Sequence, residues 1–169
     1  MCRPDNYRGR FSFYATACNT FQMKTVAIKR FDGGLPLPEY KTKGAVAFDL
    51  YARKDVVIKA GEVGYVPLNV AVECPKGYFF VLAARSSTHK RGIMPVNGIG
   101  IGDEDFCGDD DEWKLAALNF TKKTVKIERG ARIAQGMYVK FERAKWKEVK
   151  KMKAKTRGGI GSTGGHRGK

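Results

Sequence analysis

The chain has 169 residues, with 32 Lys and Arg against 17 Asp and Glu, for a formal net charge of +15. That length suits one domain with a sizeable core, and no apolar run approaches the roughly 18 to 20 residues that a membrane-spanning helix needs. The two histidines, His89 and His166, are too isolated for a zinc hydrolase or zinc deaminase centre. Four dispersed cysteines (Cys2, Cys18, Cys74, Cys107) without a C-x-x-C read as reduced thiols of a cytoplasmic protein.

Residues 1–22, "MCRPDNYRGRFSFYATACNTFQ", mix aromatic, basic and polar residues with no continuous apolar stretch. They do not read as a secretory signal and are expected to form a poorly ordered extension. From Met23 the pattern is β. "TVAIKRF", "AVAFDLYA", "DVVIKAG", "GYVPLNVAVEC", "GYFFVLAAR" and "TVKIERG" are short runs rich in Val, Ile, Tyr and Phe. Turn residues separate them at intervals of roughly 8–12 residues, the spacing of an all-β sandwich or barrel. Pro67 and Pro75 mark edges or turns. This β domain is expected to occupy residues 23–142.

The remainder, 143–169, reads as a basic linker followed by a glycine-rich arm. Residues 140–157 hold nine Lys or Arg against Glu142 and Glu148. A solvated linker, attraction of a polyanionic small molecule and contact with nucleic acid all fit that charge. Only Arg143–Lys155 has any helical spacing, and it is loose. The last 13 residues, "RGGIGSTGGHRGK", contain six glycines and are expected to be mobile.

Three stretches could carry chemistry. Seven of the 17 acids fall between Asp103 and Glu112, in "GDEDFCGDDDEW". A calcium loop started at Asp103 fails, because Cys107 and Lys114 stand at two of the ligand positions. A single carboxylate that orients or deprotonates a water remains open. In "AARSSTHKRG", Arg85 beside Ser86 and Ser87 at a strand end suits phosphate oxygens, which guanidinium binds bidentately. Gly159-Ile160-Gly161-Ser162-Thr163-Gly164 is formally G-x-G-x-x-G, yet too few residues follow for a dinucleotide fold and no P-loop Lys is present. Its glycines let backbone amides converge on an anion, with Ser162, Thr163 and Arg157 as further donors.

Taken in order, these stretches resemble the five motifs of the trimeric dUTP pyrophosphatase (dUTPase) family, over about residues 23–165. The motifs are "GAVAFDLYA" (44–52), "PKGYFFVLAARSST" (75–88), "NGIGIGDEDFCG" (97–108), "GARIAQ" (130–135) and "RGGIGSTGG" (157–165). The "CGDDDEW" continuation is similar to a Firmicutes and phage branch of that family. The resemblance implies a β-clip or jelly-roll barrel, assembled as a homotrimer with sites between subunits and a Gly-rich C-terminal arm. It implies Mg2+-dependent hydrolysis of dUTP to dUMP and pyrophosphate.

By position, it implies that Asp103 orients the water attacking the α-phosphorus. Asn97 and Gly100 belong to the hairpin that reads uracil, and Phe106 replaces a Tyr that stacks on deoxyribose. Arg85, Ser86, Ser87 and Gln135 match phosphate-contacting positions. Asp49 matches an acid near the metal, acting through water while the triphosphate holds Mg2+. Arg157, Gly159, Ile160, Gly161, Ser162 and Thr163 match the closing arm. Neither a membrane nor a nucleic-acid partner is implied.

Some positions depart from the family pattern. Gly102 stands where an aliphatic residue normally precedes the catalytic Asp, and is expected to loosen the Asp103 backbone. Ile160 replaces an aromatic of the arm, and Ala47 replaces a common Gly. Glu104 and Asp105 are expected to be turn residues, and "DDDEW" a solvent-exposed insertion with Trp113 anchoring the chain back into the sheet. Two other readings stay open. A dCTP deaminase would share the fold, but Ala116 and Ala117 stand where its catalytic Glu is expected. A non-catalytic regulatory or nucleic-acid-binding homologue would draw on the positive charge.

Overall fold

A computed structural model of the chain describes residues 24–156, 158 and 159. The extension 1–22 and the arm positions Arg157, Ile160, Gly161, Ser162 and Thr163 lie outside the described residues. Among the described residues, regular structure is all-β apart from one 3-10 turn, Thr88–Arg91. The strands are β1 (Ile28–Arg30), β2 (Phe48–Tyr51), β3 (Val56–Ile58), β4 (Val63–Pro67), β5 (Val70–Val72) and β6 (Tyr78–Ala84), followed by β7 (Ile93–Pro95), β8 (Gly100–Gly102), β9 (Lys114–Asn119), β10 (Val125–Ile127) and β11 (Arg132–Lys140). No helix among the described residues is long and apolar enough to cross a membrane.

All the pairings are antiparallel: β2-β11-β6-β8, β4-β9-β7, and the two-stranded pairs β1-β5 and β10-β3. Strands with one face to water contribute inward residues at a period of two, whereas β2 and β5 are buried throughout. In β9, for example, Leu115, Ala117 and Asn119 are buried while Lys114 faces water. These side chains merge into one core that includes Leu50, Ile58, Leu68, Phe80, Ile93, Leu115, Ile127 and Ile133. The buried Asn119 amide donates to Ile58 O and Lys123 O, while its Oδ1 accepts from Thr121, so no polar cost is left unmet.

The longest strand, β11, is absent from the apolar runs of the sequence because Gly136 interrupts it. That glycine is required by close packing: a Cβ there would stand 2.3 Å from Phe80 Cζ and 2.9 Å from Phe48 Cε2. Pro67 ends β4 at a sheet edge, as expected of a residue without an N–H. The loose helical spacing of Arg143–Lys155 produces no helix: residues 141–156 carry neither helix nor strand, and every residue from Glu142 to Thr156 is exposed. With seven Lys or Arg interleaved among five apolar residues, that segment presents no continuous apolar face.

Candidate active site

Strand β6 ends at Ala84 and delivers Arg85 into a tight turn. The Arg85 N–H donates to Thr88 Oγ1 (3.0 Å), and that hydroxyl donates to Ile133 O (2.8 Å), which ties the turn to β11. Alongside, β11 pairs with β2 so that Gln135 lies opposite Asp49. A register shift between Arg132 and Ala134 keeps Ile133 in the core and leaves the Arg132 side chain on the surface.

The carboxylate of Asp49 is buried and both its oxygens accept from guanidinium groups. Arg85 Nε donates to Oδ1 at 2.5 Å, and Arg132 Nη1 donates to Oδ2 at 3.0 Å. Arg85 Nη1 also donates to Arg132 O (3.3 Å), and Gln135 Nε2 donates to Ala84 O (2.9 Å). Lys41, Thr42, Ala45, Ala47 and Ser86 complete the walls of a cleft of about 260 Å³. Lys41 is held above the usual lysine range by its hydrogen bond to Glu39. Three cations thus face one fully engaged carboxylate, an arrangement suited to phosphate oxygens.

Asp49 therefore aims two arginines, and each of its oxygens, having accepted one hydrogen bond, keeps a lone pair for the water-mediated metal contact expected of it. The described residues do not elsewhere gather three His, Cys, Asp or Glu side chains into a metal cage. Arg132 and Lys41 were missed by the sequence reading. Arg132 lies inside "GARIAQ", and the β2–β11 register is what would have placed it opposite the first motif.

The third-motif residues stand elsewhere. Strand β8 pairs with β6 in the register Gly102 with Phe80 and Gly100 with Leu82. Arg85 lies five residues beyond Phe80 and Asp103 one residue beyond Gly102 the other way, so Asp103 and Arg85 are separated by roughly 20 Å along the strand. The chain gathers Asp49, Arg85, Ser86 and Gln135 at one end of β6, and it presents Asp103 and the exposed Phe106 at the other. Asn97 and Gly98 form the turn entering β8; Gly98 sits at φ +72 and Ile99 N–H donates to Asn97 O (2.9 Å). Ser87 is half-buried in the turn after Arg85, and Gly159 is exposed.

The acidic loop is more than a solvated insertion. Asp109 and Asp110 are exposed, but Glu112 and Trp113 are buried. Glu112 accepts from Arg53 through both oxygens (2.7 and 2.8 Å) and from the Asn69 backbone N–H (3.0 Å). Asn69 is a non-glycine residue at φ +69, and its side chain clasps the Asp32 backbone. Glu104 accepts from Gly77 N–H and from Arg143, a structural role that agrees with its reading as a turn residue. Gly102, expected to loosen the Asp103 backbone, has no room for a side chain. It packs close against the Trp113 indole, and Phe106 packs edge-on to the same ring at 5.3 Å.

A family model described as dUTPase matches residues 34–164. The deoxyuridine 5'-triphosphate nucleotidohydrolase of Dictyoglomus turgidum is 38% identical over 149 residues, covering 84% of this chain and 99% of that protein. Its namesake in Thermobifida fusca is 40% identical over 145 residues, covering 83% and 79%. A solved dUTPase from Streptococcus mutans is similar with a TM-score of 0.64 at 26% identity, covering 70% of this chain and 98% of that one. The dUTPase of Staphylococcus bacteriophage 80alpha, solved with dUPNHPP, gives a TM-score of 0.74 at 21% identity over 84% of this chain and 99% of that one, a likeness of fold.

Proposed function

The chain belongs to the dUTPase family, and we propose on that premise that it hydrolyses dUTP to dUMP and pyrophosphate. The observation that carries the reading is the cleft in which Asp49 fixes both Arg85 and Arg132 beside Ser86 and Gln135. Guanidinium groups aimed by a buried carboxylate lose little freedom on meeting a phosphate, so the triphosphate binds in one orientation.

Asp103 acts as the base that orients and deprotonates the attacking water. It is exposed at the end of β8, where its carboxylate is open to the water it would orient. The edge of the Asn97–Gly102 hairpin reads the uracil through its backbone groups and Asn97. Phe106 offers its ring to the deoxyribose and leaves no room for a 2′-hydroxyl. Arg157, Gly159, Ile160, Gly161, Ser162 and Thr163 close over the nucleotide and exclude other water. Mg2+ enters on the triphosphate, where it neutralises charge.

The separation of Asp103 from Arg85 supports a homotrimer in which one copy supplies the phosphate cleft and another the hairpin. The "CGDDDEW" loop supports a place in the Firmicutes and phage branch, and the cytoplasm of a bacterial or phage-infected cell is the compartment assigned. The test is pyrophosphate release from dUTP, dCTP, dTTP and UTP, with Mg2+ and with EDTA. Turnover of dUTP alone, lost in EDTA, is the expected result. Absence of pyrophosphate from dUTP with Mg2+ refutes the reading, and ammonia released from dCTP would replace it with a deaminase.

A further inference from the structure

Among the described residues, one buried side-chain polar atom has no hydrogen-bond partner: the indole Nε1 of Trp113. Trp113 is 7% exposed, so its surroundings are set by its own chain. Buried polar groups are normally paired, and one that is not asks for a reason. Filling space is not that reason, since an apolar side chain here with an alanine at residue 102 would fill the same slot and strand no N–H. What the indole adds is length. A Cβ on Gly100 would stand 3.6 Å from Cζ3, and one on Gly102 would meet Cζ2 and Cη2, so the ring runs along β8 from one glycine to the other. Phe80 braces it from the core, tilted by 49° with centroids 4.6 Å apart. Phe106 meets it edge-on, at 81° and 5.3 Å, and has no other aromatic partner among the described residues.

We infer that Trp113 is a positioning residue that sets sugar selectivity: its indole fixes the Phe106 ring at one distance from the Asn97–Gly102 hairpin. The inference rests on the nucleotide reading above, in which that hairpin takes the base and Phe106 the deoxyribose. A base and its sugar are joined by one bond, so a site that holds both must keep its two supports at a set spacing. β8 fixes the first support through its ladder with β6. Phe106 has no such ladder: it lies in the loop after β8, where its N–H donates to Asp103 O at 3.2 Å. A loop side chain changes rotamer freely unless something rigid meets it. Trp113, clamped between Phe80 and β8, is that rigid body, and edge-to-face packing gives the pair a preferred angle. With the Phe106 ring held against the sugar, a 2′-hydroxyl clashes; with the ring free to tilt, the hydroxyl is accommodated. Being buried, Trp113 acts through Phe106 rather than on the nucleotide.

Calorimetry measures binding of the full chain, with Mg2+, to unhydrolysable imido analogues of dUTP and UTP. The parent is expected to prefer the deoxy analogue by about 100-fold, and Trp113→Leu to lower that ratio about tenfold. Trp113→Phe keeps an aromatic partner for Phe106 and should hold the ratio to within about threefold of the parent. Gly102→Ala combined with Trp113→Leu refills the slot beside β8 without restoring an aromatic partner. That double variant should regain stability in urea yet keep the lowered ratio, and it decides the matter if Trp113→Leu alone does not fold. The inference is overturned if the ratio stays at the parent's value in either Leu variant, or if Trp113→Phe loses as much selectivity as Trp113→Leu. It is overturned too if the parent binds both analogues equally or binds neither. Should Trp113→Leu lose a preference that the parent shows, in a chain that releases no pyrophosphate from dUTP, this inference stands and the hydrolysis reading falls.

Discussion

The indole of Trp113 occupies the space that a side chain at residue 102 would need. A Cβ built on Gly102 would stand 2.2 Å from Trp113 Cζ2 and 2.4 Å from Cη2, with Phe80 Cβ at 3.3 Å behind it. Trp113 in turn packs tilted against the Phe80 ring, with centroids 4.6 Å apart, and meets Phe106 edge-on. One ring therefore supports both the backbone before Asp103 and the aromatic that follows it. Gly102→Ala is expected to overpack this slot and cost about 1–3 kcal/mol. Urea unfolding measures the loss, and adding Trp113→Leu should recover part of it. A Gly102→Ala protein as stable as the parent would show that the ring is not held as described.

Glu112 binds Arg53 bidentately from a buried position and also caps the Asn69 N–H. Glu112→Ala strands both donors and should destabilise the fold by about 3 kcal/mol, the Arg53 guanidinium being partly relieved by its access to water. Asp110→Ala, two residues away and exposed, should change stability by less than about 0.5 kcal/mol. Paired denaturant curves separate a loop anchored by Glu112 from one whose acids are all solvated.

Asp49 and Asp103 should fail in different ways. Asp49→Ala frees Arg85 and Arg132 from their aim and should raise KM for dUTP, with kcat/KM lower by about 100-fold. Asp103→Asn keeps shape and hydrogen bonding but removes the base, so kcat should fall by about 100- to 10,000-fold with KM little changed. Steady-state kinetics on the two variants distinguish positioning from chemistry. Near-full activity in Asp103→Asn would remove that residue from the mechanism.

Burial raises the Tyr138 phenol well above its usual range, and it raises the Cys74 thiol as well. Tyr138 packs on Phe48 and Phe80 and donates to Glu73 O at 3.1 Å. A folded-state pKa above the unfolded one gives stability that is whole below the unfolded value and is lost as pH rises beyond it. Above about pH 10 the unfolded chain sheds the Tyr138 proton while the folded chain keeps it, so stability should fall by up to about 1.4 kcal/mol per pH unit. Tyr138→Phe should flatten that alkaline slope while costing about 1 kcal/mol at neutral pH through the lost hydrogen bond. Thermal melts between pH 8 and 11 check both.

The sequence exposed those parts of the fold that depend on local pattern. The runs around β2, β3, β6 and β10 are apolar and bounded by turns, so their strands could be read directly. β11 could not, since its Gly136 looks like a break until Phe80 is seen filling the gap. Arg85 and Ser86 were readable from strand-end chemistry, and Asp103 and Phe106 through ordered motifs. The roles of Arg132, Glu112 and Gly102 were hidden because each depends on a partner far along the chain: Asp49, Arg53 and Trp113 respectively. Acids that look alike in "DDDEW" differ only in whether the loop turns them outward or inward.

The length of β6 has a genetic consequence. Because the arginine cleft and Asp103 sit at its opposite ends, a chain defective at one end still carries the other intact. Two proteins, Arg85→Ala and Asp103→Asn, each inactive alone, should therefore rescue one another when unfolded and refolded as a mixture. Random assembly of equal amounts would restore about a quarter of the sites, each built from the sound half of two damaged copies.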